Sequence, residues 1–308
     1  IIITIFMDLA ITKLILNEFN PILFIIIKFT DLKTKQLGDM INGIINNLKT
    51  PHKIPYKILR TIIFLYNKKK YKKKNFEEEQ NKRFKNLNLN RIESQKKLDE
   101  IKKKHPFLNR EMSSEHELLF ASICLNPKIN IRNILEIGTF DGANAFLLSK
   151  LFVHSNIETI DLDHKEDDFK DFYNRKQNLE EFIYNRNNLL TKSNNIKFSE
   201  LNSIKLTFSK KKYDLIWIDG AHGYPVVSID IINSIKLLNE KGYILIDDIN
   251  LNNENNDRMY QSSAAFETLS ELKKNKIIDF NLFYKRLDAN NNCDSKKRKF
   301  VALVEKLS

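Results

Sequence analysis

From residue 131 onward, short apolar β-rich runs alternate with stretches of helical apolar spacing, and this alternation restricts the fold more than any other feature. The runs are 131–137, 157–162, 196–199, 213–218 and 243–246, with helices expected at 143–152, 170–190 and 226–238. Short runs rich in Ile and Leu suit strands buried on both faces, and an intervening helix returns the chain for a parallel neighbour. The expectation is an α/β fold: a doubly wound, mostly parallel sheet with helices on both faces. A helix at 264–274 and late strands at 280–287 and 300–304 add a C-terminal β-hairpin and bring the sheet to seven strands. In such a sheet a ligand lies at the carboxyl ends of the strands.

The residues at those ends carry the chemistry. The first strand runs into Leu135-Glu136-Ile137-Gly138-Thr139-Phe140-Asp141-Gly142-Ala143-Asn144. Gly138 and Gly142 permit a tight turn that brings backbone close to a ligand at a helix start. A phosphate site has no use for nearby acids, so Glu136 and Asp141 flanking the turn suit a ligand with a cationic or amino-acid part. The second strand ends in Thr159-Ile160-Asp161-Leu162-Asp163. Asp161, about 20 residues past the turn, is placed to accept from both hydroxyls of a ribose.

The fourth strand ends in Ile218-Asp219-Gly220-Ala221-His222-Gly223-Tyr224, and the fifth in Ile246-Asp247-Asp248. Neighbouring strand ends bring Asp219, Asp247 and Asp248 around one point. Three hard oxygen ligands make a Mg²⁺ site, and a metal there would bind and orient a substrate hydroxyl. His222, three residues past Asp219, is a candidate general base near neutral pH. Tyr224 is expected to pack the loop, and Trp217 to be core.

Taken together, these motifs resemble class I S-adenosylmethionine-dependent methyltransferases. Residues 135–142 look like their motif I, with Thr139 among the cofactor contacts, and Asp161 looks like their ribose-binding acid. Residues 110–117 resemble the helix that leads into catechol and caffeoyl-CoA O-methyltransferases. The fourth and fifth strands resemble a bacterial family reading "IDG-x-H-x-Y" and then a paired acid, which includes sugar O-methyltransferases. The resemblance covers residues 106–308. It implies a Rossmann-like sheet, S-adenosylmethionine as cofactor, and adenine contacts from Asn202 and Ser203. It also implies cofactor contacts from Met112 and Ser113, and from Asp219 beside its metal role. His222 stands where catechol-type enzymes carry a catalytic lysine, and Asp248 where they carry a metal-binding Asn. The implied reaction is methyl transfer to a small hydroxylated acceptor such as a sugar, with Mg²⁺ assistance. The alternative is a non-catalytic scaffold of the same fold.

The formal net charge of +12 suggests nucleic acid only if it is spread over the fold. Residues 67–110 hold 16 Lys/Arg against 6 Asp/Glu, which leaves +2 for everything else. No nucleic-acid partner is therefore expected. The chain divides into a helical region at 1–66, a basic linker or helix at 67–105 and the α/β domain at 106–308. The apolar run before the basic segment leaves open a weak membrane-surface contact, against the plainer reading of a solvated helix end. The apolar opening is broken by Asp8, Lys13, Glu18, Pro21 and Lys28 and is too short for a span of ~20 residues. Two cysteines far apart, Cys124 and Cys293, are no disulfide framework and suit a cytoplasmic protein. A homo-oligomer is compatible with the sequence.

Overall fold

The computed structural model describes residues 54–110, 114–173, 178–252, 262–295 and 298–307. Two compact units emerge, 1–72 and 73–308. Of the first, one helix is described: α1 (Ile54–Lys70), which ends on three lysines. No helix among the described residues is long and apolar enough to cross a membrane.

The second unit opens with α2 (Lys73–Asn86), α3 (Arg91–Lys104) and α4 (His116–Leu125). Then follow β1 (Asn133–Ile137), α5 (Ala143–Leu151), β2 (Asn156–Asp161), α6 (Asp167–Tyr173), α7 (Leu179–Leu190) and β3 (Ile196–Glu200). The chain closes with β4 (Tyr213–Ile218), α8 (Val226–Leu237), β5 (Leu238–Asn250), α9 (Ala264–Lys274), β6 (Ile278–Tyr284), α10 (Ala289–Asn292) and β7 (Lys299–Lys306). The seven strands lie in the order β3-β2-β1-β4-β5-β7-β6. The first five are parallel, and β7 runs antiparallel between β5 and β6. This is the Rossmann-like sheet with a late antiparallel pair expected from the sequence. The helix expected at 170–190 is instead two, α6 and α7, and Asn178 caps the second by accepting from the Glu180 N–H.

Strand residues alternate between two cores because successive side chains point to opposite faces. Ile134, Leu215, Trp217, Leu245, Val301 and Leu303 pack against α2 to α5. Leu135, Ile216, Ile218, Ile244, Ile246 and Ala302 pack against α8 and α9.

The N-terminal boundary differs from expectation. Residues 73–104, expected as a basic linker or helix, form two helices that belong to the core. Phe84, Leu98 and Ile101 are buried, and Phe84 meets Phe283 edge-on at 5.0 Å. Sheet pairing leaves β6 as an open edge, where unpaired backbone groups invite association. Gln80 closes part of it as a strand residue would. Its Nε2 donates to the Tyr284 carbonyl at 3.1 Å, and its Oε1 accepts from the Tyr284 N–H at 3.0 Å. Arg83 donates to the next carbonyl along that edge, that of Leu282. The high charge of this segment hid its apolar stripe from a composition-based reading.

Candidate active site

The glycine turn follows β1 and is pinned to the end of β2. Gly138 donates to the Ile160 carbonyl at 2.9 Å, and Gly142 to that of Thr139 at 2.9 Å. Gly138 lies at φ +101° and Gly142 at φ +80°. Phe140, at φ +50°, turns its N–H onto Asp161 Oδ2 at 2.8 Å, while Asp161 Oδ1 accepts from Leu162 N–H at 2.8 Å. Two backbone donors thus fix the Asp161 carboxylate beside the turn, an acid suited to a pair of ribose hydroxyls. Asn202 caps a short 3₁₀ helix, Ser203–Phe208, by accepting from the Ile204 N–H at 3.1 Å. Thr139 is buried, its hydroxyl 2.6 Å from that of Thr159. Met112 and Ser113 lie outside the described residues.

Of the two acids flanking the turn, Asp141 pairs with the Arg110 guanidinium. Glu136 is fully buried behind the turn and accepts from Thr159 Oγ1 at 2.5 Å and Asn144 Nδ2 at 2.8 Å. Burial pushes its carboxyl up to about 7; Asp161 and Asp141 add to the rise, and the Thr159 and Asn144 bonds oppose it. The folded chain thus holds this proton more tightly than an unfolded chain near 4.5. The stabilisation is full below pH 4.5 and is lost as pH rises to 7. Glu136→Gln removes that loss, since the Thr139/Thr159 hydroxyl pair can reverse to receive an amide. The ligand-free variant is expected to be the more stable at pH 8 by on the order of 3 kcal/mol, the gap closing toward pH 5. A variant no more stable than wild type at pH 8 in thermal melts would show that this carboxyl ionises without cost.

The second cluster lies at the ends of β4 and β5. Asp219 continues the β4 ladder, its N–H donating to the Ile137 carbonyl at 2.9 Å. His222 Nε2 sits 3.6 Å from Asp219 Oδ1 and 3.9 Å from Asp248 Oδ2. Burial lowers the imidazole below its ordinary value, with Asp248 and Asp247 partly opposing, so the ring is neutral at physiological pH. Burial raises Asp219 well above the usual carboxylate range, and the charge of Asp247 raises it further.

Asp247 and Asp248 both engage Lys285, although they are adjacent on a strand whose side chains should alternate. The register slips between Ile246 and Ile249, and Asp248 adopts φ +55°. This bulge turns successive carboxylates toward one partner. Lys285 Nζ donates to Asp247 Oδ2 at 2.6 Å and to Asp248 Oδ1, and Lys299 Nζ donates to Asp248 Oδ2 at 2.7 Å. Burial favours neutral forms here, yet the lysines hold Asp248 ionised far below its usual range, and the acids hold Lys285 charged.

The expected Mg²⁺ ligands are engaged by lysines in this structure. Both oxygens of Asp248 and one of Asp247 already face ammonium groups, and Asp219 is directed at Asp247 and His222. This donor set does not fit a divalent cation. Among the described residues, the His, Cys, Asp and Glu ligand atoms that converge within 4.8 Å belong to Asp163, His164 and Glu200. Glu200 there is shared with Arg186, at 3.4 Å.

Two further corrections concern aromatic groups. Tyr224 does not pack the loop; it is 77% exposed. His116, which no sequence signal singled out, stacks on the fully buried Trp217 at 4.8 Å, close to Asp247 and Lys285.

Residues 135–249 match a family model described as a methyltransferase domain. With the sheet order and the glycine turn, this match supports a class I S-adenosylmethionine-dependent methyltransferase domain in this unit. Similar solved structures include an O-methyltransferase from Bacillus cereus in complex with S-adenosylhomocysteine (SAH). It shares 16% identity over 58% of this chain and 74% of that one, with a TM-score of 0.40. The N-methyltransferase NodS from Bradyrhizobium japonicum shares 15% over 63% and 96%, TM-score 0.42. A SAH-bound methyltransferase from Podospora anserina shares 16% over 62% and 79%, TM-score 0.43. At these scores the likenesses add nothing to the family match and the site geometry. No curated protein matches the chain in sequence.

Proposed function

We propose that this methyltransferase acts on an oxygen of a small hydroxylated acceptor such as a sugar, with His222 as general base. The carrying observation is the neutral imidazole of His222 between Asp219 and Asp248, at the strand ends beside the glycine turn. S-adenosylmethionine supplies the electrophilic methyl group when bound. Asp161 holds the ribose hydroxyls, Asn202 and Ser203 border the adenine, and Glu136 and Asp141 serve the amino-acid end. His222 Nε2 takes the acceptor proton, and the Asp248 carboxylate, 3.9 Å away, faces the charge the ring gains. Most of the acceleration then comes from placing oxygen and methyl in line.

Incubating the full chain with S-adenosylmethionine and a panel of sugars, catechols, amines and carboxylates, and measuring SAH release, tests this reading. Hydroxyl acceptors are expected to turn over. His222→Ala is expected to lower kcat by about 10²- to 10⁴-fold. Because burial lowers His222, wild-type kcat should hold from pH 8 down past the ordinary histidine value of 6.5 and fall only below it. Turnover confined to amines or carboxylates, or wild-type rates from His222→Ala, would sink it.

A further inference from the structure

We propose that Lys285, backed by Lys299, takes the place of a divalent cation between Asp219, Asp247 and Asp248, so that the acceptor oxygen is held by an ammonium rather than by a metal. This rests on the reading of the site as an O-methyltransferase centre.

The geometry is that of a built site. Lys285 follows the last residue of β6, and its side chain is 13% exposed, against 5% for Asp247 and 9% for Asp248. Its backbone is fixed on both sides: the N–H donates to the Lys299 carbonyl at 3.0 Å, and the carbonyl accepts from the Glu115 N–H at 2.9 Å. Glu115 is in turn clamped by Arg91 through two bonds of 2.7 Å. The left-handed turn at Asp248 aims two neighbouring carboxylates at the one ammonium. A buried ion pair is costly unless well paired, and this ammonium is paired with two carboxylates. An ammonium has three N–H groups. Two of them reach Asp247 and Asp248, and the third has no acceptor among the described residues.

That third N–H is the chemical opportunity. A hydroxyl oxygen seated on it is oriented and gains a donor that strengthens as negative charge develops. The acceptor O–H bond breaks and its proton goes to His222 Nε2. The oxygen–methyl bond forms as the sulfur–methyl bond breaks, and that electron pair stays on sulfur as a neutral thioether. A single positive charge polarises the oxygen less than Mg²⁺ would, so His222 carries more of the deprotonation.

The test is manganese binding, followed by electron paramagnetic resonance on the full chain with S-adenosylmethionine present. Wild type is expected to leave Mn²⁺ free, and its S-adenosylmethionine affinity to be the same with a chelator as without. Lys285→Ala is expected to expose the three carboxylates and bind one Mn²⁺ per chain. Lys285→Met, which keeps the apolar stem, is expected to lose kcat by about 10²- to 10³-fold with cofactor affinity unchanged. Circular dichroism and cofactor calorimetry establish that the variants fold. Stoichiometric Mn²⁺ binding by wild type, abolished by Asp248→Asn, overturns the proposal whatever the variants do; so does a folded Lys285→Ala that binds none. The Mn²⁺ measurements need no acceptor, so a failure of the O-methylation reading shows itself separately, in the acceptor panel.

Discussion

Removing residues 1–105 is expected to leave a methyltransferase unit that does not fold, whereas removing residues 1–72 leaves one that does. The longer deletion strips Phe84, Leu89, Leu98 and Ile101 from the core that backs β1, β4 and β5. Losing large buried apolar side chains costs about 2–5 kcal/mol each, against a total stability of about 5–15 kcal/mol for a domain. It also uncovers the β6 edge that Gln80 and Arg83 close, and it releases Glu115 from Arg91 next to the backbone of Lys285. Thermal melts and cofactor calorimetry on fragments 73–308 and 106–308 measure this. A cooperative melt of 106–308 within a few degrees of 73–308 would show that α2 and α3 are an ornament to the fold.

Gly138→Ala is expected to be the most damaging single change in the cofactor turn. A Cβ at this position would lie 2.3 Å from the Asp219 carbonyl oxygen and 2.9 Å from the Gly220 nitrogen, with φ already at +101°. The obstacle is backbone, so relief means moving the end of β4 and with it Asp219 and His222. Strain and overlap together cost about 2–6 kcal/mol. Cofactor binding should fall below calorimetric detection even if the variant folds. Gly142→Ala is the control: its Cβ would meet the Leu190 side-chain tip at 2.9 Å, which can yield. Equal effects at the two glycines would mean that left-handed backbone alone, and not the close approach to β4, makes Gly138 necessary.

The cofactor half of the site was largely legible in the chain. Glycines at a strand–helix junction and an acid at the next strand end are local signals, read within a few residues of one another. The role of Glu136 was less so: the spacing places it by the turn, but full burial against Thr159 and Asn144 depends on β1 lying beside β2. Asn202 has a second task that its spacing did not announce: its side-chain carbonyl caps a short helix. The acceptor half was less legible. Three aspartates converge on paper into a metal site, because carboxylates at adjacent strand ends carry no mark of the cation that faces them.

By itself the sequence determined the alternation of strands and helices, the mostly parallel character of the sheet and the acids at its carboxyl ends. All of these follow from the period of the apolar residues and from turn chemistry. Only the tertiary structure decided which cation the acids meet and where the folded unit begins. Lys285 lies 38 residues from Asp247, and Gln80 lies 204 from Tyr284. In a chain so rich in lysine, neither the Lys285 ammonium nor the helices at 73–104 stand out from solvated surface. The antiparallel return of β7 between β5 and β6 brings the first into the site, and the open β6 edge draws in the second.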